Sequence, residues 1–176
     1  MPRKILDFDG DLPSSIYLDT SVLISYMVAD AKYHQPCSHF LDRLEQEGVS
    51  LFLSTLSLDE IWYGLLRASL LRDYSDHWLE VIRATPEVIQ NYTAMLEKTT
   101  LTILSLDYLT ILEVSVPTSL VALQVMDKYA LLPRDAIHLT VCETARIEAI
   151  ASTDLDFLRV EDIKLFTCNP KAFSKP

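Results

Sequence analysis

At 176 residues the chain is long enough to bury one good hydrophobic core and too short for two comfortable domains. Hydrophobic residues make up 49% and charged residues 23%, which excludes a disordered or collagen-like polymer. The net charge of −10 excludes a generic electrostatic binder of polyanions, but not an enzyme whose carboxylates bind cations, because bound metals reverse the local sign of a site.

Residues 1–14 carry Asp7, Asp9, Asp11 and Pro13 and read as an irregular lead-in. Ile16-Tyr17-Leu18 is a short apolar β-prone run that stops at Asp19-Thr20-Ser21. Val22 to Val28 reads as a helix capped by Asp19, Thr20 or Ser21. Between Tyr33 and Glu47 the residues Phe40, Leu41 and Leu44 recur at helical spacing, and Gly48 suits the stop. Val49 to Leu53 is a second strand, and Thr55 to Leu71 an amphipathic helix started by Ser54, Thr55 or Ser57. Helices come next at Tyr74 to Ala84 and Pro86 to Lys98, with Pro86 suited to a first helical position.

Leu101 to Leu106, rich in Leu, Ile and Thr, reads as a third strand. Asp107 to Val114 and Ser119 to Tyr129 then read as helices separated near Pro117. Residues 73–130 are thus expected to form a largely helical middle segment. Pro133-Arg134-Asp135 opens a helix over Ala136 to Ala145, Ala149 to Ser152 is a fourth strand, and Ile163 to Phe166 a weaker fifth. Strands alternating with helices imply an α/β/α fold with a mainly parallel, roughly five-stranded sheet covered on both faces.

Several chemistries are excluded by what is missing. Cys37, Cys142 and Cys168 are odd in number and widely spaced, so neither a zinc site nor a disulfide framework suggests itself, and a reducing cytoplasm is expected. Glycine occurs only at Gly10, Gly48 and Gly64, so no phosphate-cradling glycine loop can be drawn. Met1-Pro2-Arg3-Lys4 and the aspartates after it lack the apolar stretch of a secretory signal. Mean hydropathy is +0.18, yet no window reaches the ~18 apolar residues of a membrane span, so no membrane partner is expected.

The informative pattern is where the acids fall. Asp19 and Asp154 each come after a short apolar strand, and so sit at the carboxyl ends of predicted parallel strands, the edge where open α/β sheets bind ligands. Asp135 lies in the first turn of a helix and Glu60 near the start of another. Four acids from four elements at one edge would repel one another unless cations were present. Mg²⁺ or Mn²⁺ is the natural partner, since hard ions prefer carboxylate and water oxygens. Each acid also has a plain structural role open to it: Asp19 as an N-cap, Asp135 as a favourable first-turn charge, Glu60 beside Asp59 as part of a solvated helix face.

Four strings, in order, carry a family resemblance. Ile16-Tyr17-Leu18-Asp19-Thr20-Ser21-Val22-Leu23-Ile24, Leu56-Ser57-Leu58-Asp59-Glu60-Ile61-Trp62-Tyr63-Gly64-Leu65, Leu132-Pro133-Arg134-Asp135-Ala136-Ile137-His138-Leu139 and Ser152-Thr153-Asp154-Leu155-Asp156-Phe157 resemble the motifs of PIN domains, the fold of VapC-type toxins and related ribonucleases. The resemblance spans nearly the whole chain and implies one PIN domain over residues 1–176. It implies that Asp19, Glu60, Asp135 and Asp154 are the acidic, catalytic metal-binding set. Asp156 is similar to a second acid beside the last one, as a ligand or as a cap of the Phe157 turn. Ser21 and Ser152 match small hydroxyl positions that orient the acids.

The resemblance further implies a metal-dependent endoribonuclease acting on an RNA substrate, a homodimer and, for a toxin, a protein antitoxin. The stretch between Glu60 and Asp135 is longer than in compact toxin members. Asp59 leaves open which acid turns inward; Gly64 and Arg67 on the helical face of Glu60 favour Glu60. His138 reads as a packing histidine, three residues after Asp135. Two other readings remain: a catalytically silent PIN-fold protein-binding module, and a haloacid-dehalogenase-like phosphatase using Asp7 and Asp9 in Ile5-Leu6-Asp7-Phe8-Asp9-Gly10-Asp11. Only two apolar residues precede Asp7, too few for the buried strand that phosphatase loop needs.

Overall fold

A computed structural model describes residues 4–174. Its centre is a six-stranded, wholly parallel sheet in the order β1-β6-β5-β2-β3-β4, built from β1 (Lys4–Leu6), β2 (Ser15–Leu18), β3 (Ser50–Ser54), β4 (Leu109–Leu112), β5 (Ala149–Ala151) and β6 (Lys164–Phe166). Seven α-helices accompany it among the described residues: α1 (Thr20–Met27), α2 (His34–Gln46), α3 (Thr55–Tyr74), α4 (Trp78–Ala84), α5 (Gln90–Leu104), α6 (Val116–Tyr129) and α7 (Pro133–Thr144).

Period-two alternation along the strands divides the core. Ile16 and Leu18 of β2, Ala149 and Ala151 of β5 and Phe166 of β6 face one buried cluster with Val22, Phe40, Leu44 and Ile61. Tyr17, Ile150 and Leu165, the residues between them, face the opposite cluster with Val125, Ala136, Leu139 and Phe157. These central strands are buried on both faces, as a parallel sheet covered by helices requires. From β2 the chain winds through β3 to β4 on one side, and it returns through α6 and α7 to place β5 on the other side of β2. The neighbours β2 and β5 therefore flank a topological switch point, the position at which open α/β sheets bind ligands, outside the carboxyl ends of the strands.

Three expectations need correction. The lead-in contains β1, an edge strand paired with β6; it is docked by Phe8, which stacks on Phe40 with centroids 4.0 Å apart, and by Arg43, which donates to the Phe8 carbonyl. Its first three residues lie outside the described residues. Leu101 to Leu106 is not a strand, because α5 runs on to Leu104 with Ile103 turned into the core and Leu101 and Leu104 outward. The strand is the next apolar run, β4, within the Asp107 to Val114 stretch expected to be helical, and it pairs with β3 from Leu51↔Leu109 to Ser54↔Leu112. The sheet accordingly has six strands rather than about five, and the 73–130 segment is helical on either side of a strand.

Candidate metal centre at the carboxyl edge of the sheet

Asp19 comes directly after β2 and occupies the N-cap position of α1, but its side chain makes no cap hydrogen bond. Its carboxylate instead accepts at Oδ2 from Ser21 Oγ (2.5 Å) and Ser152 Oγ (2.7 Å). Ser152 lies just past β5, and its hydroxyl also accepts from the Asp154 amide at 2.9 Å, while Ser21 Oγ accepts from the Thr153 amide at 3.0 Å. The two hydroxyls thus stitch the ends of neighbouring strands together and fix the rotamer of Asp19. Because both donors go to Oδ2, Oδ1 is the oxygen left for a ligand.

Asp135 stands in the first turn of α7, which starts on Pro133 with Leu132 at the N-cap. Its carboxyl is pushed up to about 6, by burial first and then by the charges of Asp19, Asp154 and Asp156, with His138 opposing. The last loop carries Asp154, whose Oδ1 accepts from the Asp156 amide at 3.0 Å, and Asp156, paired with Arg159 at 2.7 Å. Among the described residues Asp156 is therefore the one acid of this group of four already paired with a cation of the chain.

Glu60 lies in the second turn of α3, a helix started by a reciprocal capping box between Ser54 and Ser57. Its side chain is 12% exposed and that of Asp59 is 64% exposed, so Glu60 is the acid that turns inward. Oε2 accepts from Thr20 Oγ1 at 2.6 Å and from His138 Nε2 at 2.8 Å; Oε1 faces Arg134 at 3.6 Å. Burial alone would raise this carboxyl, but His138, Thr20 and Arg134 together hold it below the ordinary range. His138 is raised in turn: burial works against its charge, and the hydrogen bond to Glu60 with the charges of Asp19, Glu60 and Asp135 outweighs it.

Asp7 and Asp9 lie elsewhere. They are exposed in the turn after edge strand β1, where the Asp9 amide donates to Asp7 Oδ1 and the Gly10 amide to the Asp7 carbonyl.

Residues 16–163 match the model of the PIN domain family. The chain belongs to that family. Among curated relatives it is 26% identical over 153 residues to Ribonuclease VapC6 of Methanocaldococcus jannaschii, covering 87% of this chain and 97% of the relative. It is 21% identical over 152 residues to Ribonuclease VapC2 of the same organism, covering 86% and 93%. A solved structure, the sarcin-ricin loop cleaving toxin VapC20 of Mycobacterium tuberculosis, superposes with a TM-score of 0.57 at 16% identity, covering 85% of this chain and 97% of that one. Membership in the PIN family leaves no ground for the phosphatase reading of Asp7 and Asp9.

Does this PIN site fit a divalent cation? Among the described residues no three acid, histidine or cysteine side chains already close around a common point. Mg²⁺ does not require that, since it keeps several waters and takes one or two carboxylates. The crowding of Asp135 by three other carboxylates is the feature a cation would relieve, and the donors are all hard oxygens. The residues therefore fit such an ion. The sequence motifs did not reveal Thr20, His138 and Tyr17 as a connected support for Glu60; the one signal was the helical spacing that puts His138 on the face of Asp135.

Proposed function

We propose that the chain is a divalent-metal-dependent endoribonuclease. The observation that carries this reading is the gathering of carboxylates at the switch point: Asp19 after β2, Asp154 after β5 and Asp135 in the first turn of α7, near enough that burial and the charges of Asp19, Asp154 and Asp156 raise the Asp135 carboxyl. Both curated relatives are named as ribonucleases, which supports the same reading. In it Asp19, Asp135 and Asp154 would hold the ion through their oxygens, Glu60 would complete the acidic set from α3, and Asp156 would act at the periphery. Bound Mg²⁺ or Mn²⁺ would supply charge neutralisation at the phosphodiester and an acidified water nucleophile. Ser21 and Ser152 keep Asp19 oriented, so the site spends little reorganisation on binding.

The same reading extends to a single catalytic domain, to a homodimer, and to a protein antitoxin as partner. A cytoplasmic location belongs to the same proposal. No helix among the described residues is long and apolar enough to cross a membrane.

The test is calorimetric titration of purified protein with Mn²⁺ and Mg²⁺, alongside cleavage of a mixed single-stranded RNA pool, for wild type and Asp19→Asn. Asp19→Asn keeps both hydroxyl contacts within reach and removes the charge, so it should remain folded and lose roughly 100-fold or more in cleavage rate, as when one oriented charge-stabilising group is removed. A wild-type protein that binds no divalent ion and cuts no RNA would sink the nuclease reading in favour of a silent protein-binding module.

A further inference from the structure

Glu60 is held from behind by a chain of buried hydrogen bonds. His138, 1% exposed on α7, reaches Glu60 Oε2 with Nε2 at 2.8 Å and the hydroxyl of Tyr17 with Nδ1 at 2.6 Å. Tyr17 is wholly buried in β2, and its hydroxyl lies 3.5 Å from Ser57 Oγ. Ser54 Oγ lies 3.5 Å from His138 Nδ1. These are the two serines whose capping box starts α3, the helix that carries Glu60. The links therefore run from the start of α3 through β2 and α7 back to α3.

Hydrogen-bond chemistry fixes the direction of the decisive link. An ionised carboxylate only accepts, so Nε2 must carry a hydrogen. That holds for the neutral ring, with the Tyr17 hydroxyl donating to Nδ1, and for the cationic ring, with Nδ1–H donating to the Tyr17 oxygen. Two short bonds, from His138 and Thr20, thus saturate Oε2. Among the described residues Oε1 has only Arg134 at 3.6 Å, beyond hydrogen-bond length and from a half-exposed side chain that can swing away.

We propose that His138, backed by Tyr17, is a positioning residue that pins Oε2 of Glu60 and so presents Oε1 to the cation. The proposal rests on the metal-dependent nuclease reading above. A histidine that merely filled space would not need short hydrogen bonds at both ring nitrogens, one of them to a carboxylate of the acidic set. Its loss lets the Glu60 carboxylate rotate, which weakens the metal without touching the RNA.

The test compares His138→Leu, His138→Gln and Tyr17→Phe with wild type by Mn²⁺ calorimetry, by kcat and KM on a single-stranded RNA, and by thermal melting. Leucine keeps apolar volume and removes both ring nitrogens; it should weaken Mn²⁺ binding about 10-fold or more, the usual effect of deleting a group that orients a metal ligand. It should lower kcat with KM for RNA unchanged. Glutamine places an amide N–H near the position of Nε2–H and should recover most of both quantities. Tyr17→Phe should give a smaller loss in the same two.

The proposal is overturned if His138→Leu is folded with wild-type Mn²⁺ affinity and kcat, or if His138→Gln is no better than His138→Leu. Should His138→Leu fail to fold, Tyr17→Phe decides: reduced Mn²⁺ affinity supports the proposal and unchanged affinity overturns it. A wild type that neither binds Mn²⁺ nor cuts RNA fails the nuclease reading itself and takes this proposal with it. An active wild type with indifferent variants fails the positioning role alone.

Discussion

Asp135 bears the least favourable charge of the site. Its carboxyl sits at about 6 in the folded chain, for burial first and then the neighbouring acids, against ~3.9 in an unfolded one. Between those values the folded chain keeps a proton that the unfolded chain has released. With no cation bound, the stability this group contributes is therefore full below about pH 4 and is lost as pH rises through about 6. Asp135→Asn removes the charge at nearly constant shape, so it should raise the melting temperature of the metal-free protein at neutral pH by roughly 2–4 °C. The same variant should lose most of the stabilisation that Mn²⁺ gives wild type. Melting curves on both sides of the transition, with Mn²⁺ and with chelator, check both halves; identical curves for the two proteins would refute the argument. The acids themselves were legible in the sequence because each ends an apolar strand or sits near a helix start. Their supports were not: Thr20, Tyr17 and His138 meet partners 40, 121 and 78 positions away, and a separation of that size leaves no local pattern.

Helix α1 crosses α3 where Gly64 faces Ile24, and a Cβ on Gly64 would press into the Ile24 side chain. Alanine there gains about 1 kcal/mol of helix propensity but costs about 1–3 kcal/mol through overpacking. The clash should win, because α1 is anchored at its start by the bonds of Asp19 and cannot retreat freely. Gly64→Ala should therefore lower unfolding stability by roughly 1 kcal/mol, and Gly64→Ala with Ile24→Val, which removes the offending Cδ1, should recover most of it. Urea denaturation of the single and double variants reads this directly. The element that local pattern misplaced shows the opposite limit. Leu101 to Leu106 and Leu109 to Leu112 are adjacent apolar runs of similar composition, and short runs do not reveal their period. Which of them becomes a strand is decided by reach to the open edge of β3, where Leu109 to Leu112 find backbone partners and α5 simply continues through the earlier run.

The whole molecule carries a net charge of −10, so the attraction for RNA that the ribonuclease proposal requires cannot come from overall charge. Retention of a single-stranded RNA should fall to background in chelator and return with Mn²⁺; a filter-binding series on a cleavage-resistant RNA analogue, to prevent turnover, would expose any metal-independent affinity. Asp7→Asn should leave cleavage within about twofold of wild type, the range of a surface change away from the chemistry, since Asp7 lies exposed after the edge strand β1 rather than at the carboxyl ends of β2 and β5. Sequence alone determined the family, the strands β2, β3, β5 and β6, and the positions of Asp19 and Asp154 after apolar strands, because periodicity, breakers and motif spacing are local properties of the chain. Only the tertiary structure decided the place of β1 and β4, the inward turn of Glu60 over Asp59, and the Tyr17–His138–Glu60–Thr20 links. Those outcomes depend on which backbone edges and buried polar atoms meet after folding, and the requirement that each find a partner acts across the whole chain.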